Sequence, residues 1–358
     1  MMDLAHVRIL RLAAGTASSM WFSQAVGWDM SFIAPVMTMF ILALPFPAPK
    51  LKSGILFVAA LTLSMYAGLL LLPSLLNYPM VGLLLMILAL FWSFYYTAKG
   101  GSAVLGTFVT VGIAMSTAVG SVSVDATLML ISSLSMNTVI GIAFVWIAHV
   151  LVPDSMARAE DSQPVGEPPP KPEPDLAEAR WSAFRSLLIV FPLALWFMLS
   201  SASTSYVPVM IKVASMGQQA TMESAKLVGR SLIMSTLIGG IGAVIGWNVL
   251  RIVPTLPVYV LLIALGALVM GPRIFQGQAM HPQAGTWSYG YLTMIVILAP
   301  AVMDSSGGTS ADAAFWTRLL MFALATLYGV IAVFVVDAFR PGLKAGTDPS
   351  GEQARPAS

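Results

Sequence analysis

Ionisable side chains inside apolar stretches are the residues of this chain whose types and spacing could do chemistry. Arg8 and Arg11 lie three residues apart, on one face of the helix predicted at the start of the chain. A charge within or beside a membrane span is costly, so each such residue needs a structural or a functional reason. The pair could attract an anion, or it could lie at the lipid headgroups and set the orientation of the helix.

Lys212 is a more unusual cation, because it follows Pro208 by four residues in an otherwise apolar segment. If the helix breaks at the proline, the ammonium group faces an internal cavity and can bind a substrate carboxylate. If the helix instead ends just before Lys212, the side chain reaches the nearby membrane interface. The sequence leaves these two interpretations open.

Prolines also mark the second apolar stretch, at Pro35, as Pro208 marks the eighth. Because proline lacks a backbone donor, neither stretch is expected to be a regular helix throughout. We predict that a substrate is held near these two segments. The positive groups predicted to attract it are Arg8, Arg11, Arg185 and Lys212.

Asp29 and His149 are the residues that could carry a proton. Asp29 lies in a turn before the second stretch, where partial burial favours protonation of a carboxylate, although helix capping explains it as well. His149 lies near the end of the sixth stretch and titrates close to neutral pH. A solvated or capped histidine is the alternative.

The composition places the chain in a lipid bilayer. Of its 358 residues, 58% are hydrophobic and only 9% are charged, which is too apolar for a soluble core. No dense basic face indicates nucleic-acid binding. The chain has no cysteine, and no metal-ligand cluster, nucleophile triad or pair of catalytic carboxylates is evident. We therefore expect neither an enzyme nor a metal or other cofactor.

Twelve apolar stretches predict an all-α polytopic membrane protein of about 12 transmembrane helices. A first six-helix unit is predicted over residues 1–151 and a second over 184–341, joined by a proline-rich linker at 152–183 and followed by a disordered tail at 342–358. The spans are predicted at about 9–27, 31–47, 53–72, 79–97, 102–121, 126–151, 184–201, 205–217, 229–250, 256–271, 286–303 and 314–337.

Landmarks of the first six spans return in the second six. The segment 31–37 (SFIAPVM) recurs as 205–210 (SYVPVM), and Gly106-Thr107 recurs as Gly285-Thr286. Most Lys and Arg residues fall on one side, which by the positive-inside rule makes both termini and the linker cytoplasmic. Two units that both start inside form a parallel repeat, with a possible path at their interface.

The opening residues 8–16 (RILRLAAGT), followed by 31–35 (SFIAP), resemble the membrane unit of the fusaric acid resistance and aromatic acid exporter superfamily. More narrowly, they resemble a short, DUF2955-like bacterial branch. The resemblance implies a bacterial inner-membrane exporter of small aromatic or lipophilic organic acids that works with a periplasmic adaptor protein of the membrane-fusion type. In place of the large cytoplasmic domain of longer superfamily members, this chain has only the proline-rich linker.

Three functions follow from these observations. The first is proton-driven efflux of an organic anion, since no nucleotide-binding module is present. The second is a passive organic-anion channel, which needs the same cations but no coupling residue. The third is a non-transporting membrane subunit of an adaptor complex. A homo-oligomer is compatible with each of them.

Overall fold

The protein folds as a bundle of α-helices in a computed structural model, which describes residues 2–28, 30–156, 175–199, 207–222, 225–277, 279–306 and 311–339. The helices of the first half are α1 (Leu4–Val26), α2 (Ile33–Leu42), α3 (Leu51–Asn77), α4 (Pro79–Ala98), α5 (Ala103–Gly120) and α6 (Val124–Leu151). Those of the second half are α7 (Leu176–Leu199), α8 (Val207–Met222), α9 (Ala225–Ile252), α10 (Leu256–Met270), α11 (Ala284–Ser306) and α12 (Ala311–Ala338).

Eight of these helices are long and apolar enough to cross a membrane: α3, α4, α6, α7 and α9 to α12. They expose large apolar side chains such as Leu70, Leu84 and Leu261, which lipid can cover at no cost. These are the features of a polytopic membrane protein. The helix α2 has ten residues and is about 15 Å long, roughly half of the hydrocarbon thickness.

The prolines of the second and eighth stretches begin helices instead of interrupting them. Pro35 is the third residue of α2 and Pro208 is the second residue of α8. The backbone N–H groups of a first turn have no partner within the helix, so proline is tolerated there. The expectation that neither stretch is a regular helix throughout is confirmed for the second, where α2 covers only residues 33–42 of 31–47, and wrong for the described part of the eighth. In particular, α8 continues for ten residues beyond Lys212.

The linker predicted at 152–183 is shorter in the structure. A single 3-10 turn at Asp154–Met156 follows α6, and α7 already begins at Leu176. The early start is explained by Asp175, whose carboxylate accepts the backbone N–H of Ala177 at 2.9 Å, as a helix cap does. Residues 157–174 and the tail predicted at 342–358 lie outside the described residues.

Two pairs of helices pack most extensively, one pair in each half. The most extensive contacts join α3 to α5 and α9 to α11, and between the halves α1 packs on α10 while α4 packs on α7. Small residues allow the close approaches. Gly112 lies against the carbonyl oxygen of Leu61 between α3 and α5, and Gly290 lies against that of Ser235 between α9 and α11.

The turn between α10 and α11 carries extra structure. A 3-10 turn at Gly271–Arg273 leads into a two-stranded hairpin, with β1 (Phe275–Gln276) antiparallel to β2 (Ala279–Met280). Gly271 lies against the side chain of Ile9, and β1 packs on α1. The 3-10 turn and the hairpin thus hold the start of α1 against the end of α10.

At one end of the bundle the odd-numbered helices start and the even-numbered helices end. Arg11 and Arg185 lie near this end. We call it the basic end. At this end the Arg8 guanidinium donates to the Pro45 carbonyl at 3.5 Å, and the indole of Trp146 donates to the Pro49 carbonyl at 2.8 Å. These bonds hold the segment between α2 and α3 against α1 and α6.

The contact between α9 and α11 predicts a sharp difference between two adjacent glycines. A methyl group at Gly239 would overlap the carbonyl oxygen of Gly290, whereas one at Gly240 would meet only the Leu319 Cδ1 atom at 3.4 Å. Gly239→Ala is therefore expected to destabilise the protein by about 1–3 kcal/mol, as overpacking does. Gly240→Ala is the matched control, and thermal unfolding in detergent measures both. Equal melting temperatures for the two variants would contradict this packing.

Candidate functional site

The candidate site is built around Lys212, which lies in the interior of the bundle. Only 2% of this residue is exposed, and its ammonium group lies between α8, α9 and α11. Ten residues separate it from the end of α8, which corresponds to about 15 Å, or roughly half of a bilayer core. The side chain does not reach the interface, so the second sequence interpretation is wrong. The first is wrong about a break of the helix within residues 207–222, although the ammonium group does face the interior as it predicted.

The hydrogen bonds of Lys212 leave part of its ammonium group unused. The Nζ atom donates to the hydroxyls of Thr293 at 3.1 Å and Ser235 at 3.4 Å. Those two hydroxyls donate in turn to backbone carbonyls of their own helices. An ammonium group has three N–H donors, and among the described residues no carboxylate lies within 4 Å of it. The third donor is thus available to an acceptor.

Polar residues continue from Lys212 toward the basic end. On α8, Lys212, Ser215 and Gln219 are spaced by three and four residues, so they form one stripe. Two further stripes face it, from α9 and from α11. The members of the three stripes, which we call the polar file, are Lys212, Ser215, Gln219, Ser231, Ser235, Thr286 and Thr293.

Hydrogen bonds connect the part of the file nearest the basic end. Ser231 donates to the Gln219 Oε1 atom at 3.2 Å, and its hydroxyl lies 2.9 Å from that of Thr286. Gln219 and Ser231 are buried, whereas Thr286 is partly exposed and follows the exposed Gly285. The Nε2 atom of Gln219 is buried without a hydrogen-bond partner. The file therefore reaches from the surface to the interior and contains an unused donor.

Gln218 belongs to a different contact, on the face of α8 toward α5. Its Nε2 atom donates to the Thr110 hydroxyl at 3.4 Å, and that hydroxyl lies 2.9 Å from the hydroxyl of Ser93 on α4. Two neighbouring glutamines of α8 thus face opposite halves of the bundle, which gives a matched pair for mutation.

Arg11 is engaged in the first half. Its guanidinium is buried and donates to the Val152 carbonyl at 2.8 and 3.0 Å and to the Asp154 carboxylate at 2.5 Å. This arrangement holds the start of α1 to the segment after α6. The predicted neighbour Arg8 is half-buried at the same end.

Arg185 is engaged in the same way in the second half. It is buried, pairs with the Asp337 carboxylate near the end of α12 at 3.3 Å, and donates to the Ala220 carbonyl of α8. Ala220 lies eight residues after Lys212, or about 12 Å along the helix. The structure therefore does not bring Arg8, Arg11 and Arg185 together with Lys212.

The other predicted site residues also lie apart from the polar file. The Nδ1 atom of His149 lies 2.8 Å from the Val145 carbonyl, near the end of α6. Pro35 is buried in the first turn of α2, and Pro208 lies one helical turn before Lys212 in α8. Asp29 lies outside the described residues. Whether these residues act in substrate binding or proton transfer stays a prediction.

Sequence reasoning missed the hydroxyls and the amide that surround Lys212. Their signal was the spacing of Lys212, Ser215 and Gln219, which is a helical stripe in a segment expected to end at residue 217. The partner stripes on α9 and α11 carry no charge, so only the tertiary structure identifies them.

The comparisons with known proteins find a similarity in the first half of the chain. Residues 8–148 match the family model DUF2955, a protein family of unknown function. This region runs from α1 to the last turn of α6, so it covers most of the first half of the chain. No curated protein and no solved structure matches the chain. The match does not extend to the second half, which holds the polar file.

The ion pair of the buried Arg185 predicts a specific loss of stability. Asp337→Asn removes the charge that pairs with Arg185, and we expect this to cost on the order of 3 kcal/mol because the guanidinium stays buried. Arg251→Gln is the control, since its pair with Asp312 joins side chains that are 55% and 49% exposed, and such pairs contribute less than about 1 kcal/mol. Thermal unfolding in detergent compares them. An Asp337→Asn variant as stable as Arg251→Gln would refute the assignment.

Proposed function

We propose that this protein is a bacterial inner-membrane efflux transporter of small aromatic or lipophilic organic acids, and that Lys212 binds the carboxylate. The observation that carries the proposal is the ammonium group itself, held about halfway through the bundle with only hydroxyl partners among the described residues. Ionisable residues at such depth mark substrate and ion pathways. Binding sites near the bilayer midplane are also typical of secondary transporters.

We further propose that the helices form two parallel six-helix repeats. The equivalent contacts α3–α5 and α9–α11, and α1–α10 and α4–α7, support this arrangement. So do the ion pairs of two buried arginines, since Arg11 of the first helix and Arg185 of the seventh each pair with an aspartate at the end of the same half. The basic end is then cytoplasmic, as the distribution of Lys and Arg predicts.

Alignment of the repeats makes the charge at Lys212 unique to the second half. Met39 follows Pro35 by four residues, as Lys212 follows Pro208. The Met39 side chain is buried. An apolar residue thus satisfies packing at this position of the first half, so the charge of Lys212 is better explained by a ligand than by stability.

The driving force has two candidates. In the first, proton-coupled efflux, His149 or Asp29 carries the proton. The second is a passive organic-anion channel, favoured by the absence of a carboxylate beside Lys212 among the described residues. A membrane potential alone drives an anion outward by about 2.3 kcal/mol per 100 mV, so export does not require a proton.

The proposed partners are a small organic anion and a periplasmic adaptor protein of the membrane-fusion type. The adaptor rests on the superfamily resemblance of residues 8–16 and 31–35. The apolar outer surface of the bundle contacts the lipid bilayer.

Replacing Lys212 tests the proposal directly. Lys212→Met introduces the side chain that Met39 has at the equivalent position of the first half. We expect this variant to abolish uptake of a radiolabelled aromatic acid such as benzoate into inside-out vesicles. Lys212→Arg keeps the charge and is expected to retain a measurable fraction of the rate. A Lys212→Met protein that folds and transports as the wild type does would exclude Lys212 as the binding residue.

A second measurement separates the two driving forces. The protein-dependent benzoate flux, which is the flux into proteoliposomes minus that into protein-free liposomes, is measured with the voltage clamped by potassium and valinomycin, with and without a pH gradient. Proton coupling requires the flux to change with the gradient, whereas a passive channel responds to voltage alone. If neither condition moves benzoate or any of a panel of aromatic acids, a non-transporting membrane subunit is the better assignment.

A further inference from the structure

We infer that the polar file is the route by which a small anion reaches Lys212 from the basic end of the bundle. The inference rests on the proposed function. It adds the path that the anion follows, the side of the bundle from which it enters and the helix that moves to admit it. Its first support is continuity, because Thr286, Ser231 and Gln219 are linked by hydrogen bonds from the partly exposed surface inward. Ser235, Thr293 and Lys212 form the inner group.

The second support is the unused donor between the two groups. The Gln219 Nε2 atom is buried without a hydrogen-bond partner, and a buried donor left unpaired costs about 1–3 kcal/mol. A passing carboxylate accepts this bond and then the free bond of Lys212. These residues are seven apart on α8, so the two donors are separated by about 10 Å along the helix.

The third support is the charge of the path. The file residues are hydroxyls, one amide and one ammonium group, and among the described residues no carboxylate pairs with any of them. Buried charge of one sign in a low-dielectric wall attracts ions of the opposite sign. The path therefore suits a small anion and disfavours a cation of the same size.

The walls of the path differ in rigidity. The helices α9 and α11 pack closely on each other through Gly239 and Gly290, whereas α8 meets each of them over a much smaller surface. Opening the file thus requires a displacement of α8 away from a fixed pair. Ser215 of α8 lies between the outer and inner groups, and its hydroxyl donates to the Lys212 carbonyl at 2.7 Å, within α8 itself.

The natural absence of cysteine allows a direct test of the route. Ser231→Cys and Ser235→Cys each place a thiol in the file with little change in size. Thr236→Cys is the matched control, because Thr236 is next to Ser235 but bonds to Thr326 of α12 at 2.8 Å. The reagents are sulfonatoethyl methanethiosulfonate, an anion, and its trimethylammonium analogue, a cation. They are added to inside-out vesicles, which expose the cytoplasmic side.

We expect the anionic reagent to modify the thiols at 231 and 235 at least about tenfold faster than the thiol at 236, and faster than the cationic reagent does. Lys212→Met should remove the preference for the anion at 235. Modification at 231 and 235 as slow as at 236, or faster with the cation, would overturn the inference.

A second pair of variants distinguishes a blocked route from a local loss of structure. In the Ser235→Cys protein, Gln219→Leu is expected to slow modification by the anion several-fold, whereas Gln218→Leu, which faces α5, is expected to leave it unchanged. Equal effects of the two substitutions would count against the route. If the thiols at 231 and 235 are labelled but benzoate is not transported, the proposed function is refuted and the route is supported. If benzoate is transported but these thiols are not labelled, the route is refuted and the proposed function is supported.

Discussion

The bundle is organised by the requirement that a charge taken out of water must find a partner. Arg11 and Arg185 satisfy it with an aspartate and with backbone carbonyls, near the basic end where the helices start and stop. Lys212 satisfies it only in part, with two hydroxyls, at about the middle of the bundle. Because the cost of an isolated charge rises steeply away from water, a cation that is only partly satisfied at this depth needs a functional reason.

Paired arginines have a structural role that their charge alone would not indicate. Arg11 joins α1 to the turn that follows α6, and Arg185 joins α7 to the ends of α12 and α8. Buried ion pairs add little net stability compared with apolar packing, but they specify which groups must meet. In this chain they set the register of α1 against the end of α6 and of α7 against the end of α12.

Much of the architecture was predictable from the sequence. Apolar stretches separated by turns predicted the helices to within several residues. The environment of Lys212 was not predictable, since proline was expected to break a helix that it begins, and the pattern gives no information on which helices pack together. Ser235 and Thr293 are ordinary residues of apolar helices until the tertiary structure places them beside an ammonium group.

Two joints connect the halves, α4 with α7 and α1 with α10, and the hairpin that follows α10 adds apolar surface to only the second of them. The joint of α4 with α7 consists of helix faces alone, and the corresponding turn after α4 is only residues 99–102. The joint of α1 with α10 is reinforced by Ile274 and Phe275, which are buried beside α1. Separation of that second joint would expose this extra apolar surface to water or headgroups, at roughly 25 cal/mol for each Å². The α1–α10 joint therefore carries an apolar hairpin, whereas on the α4–α7 side both α7 and α8 pack on α4 and α5.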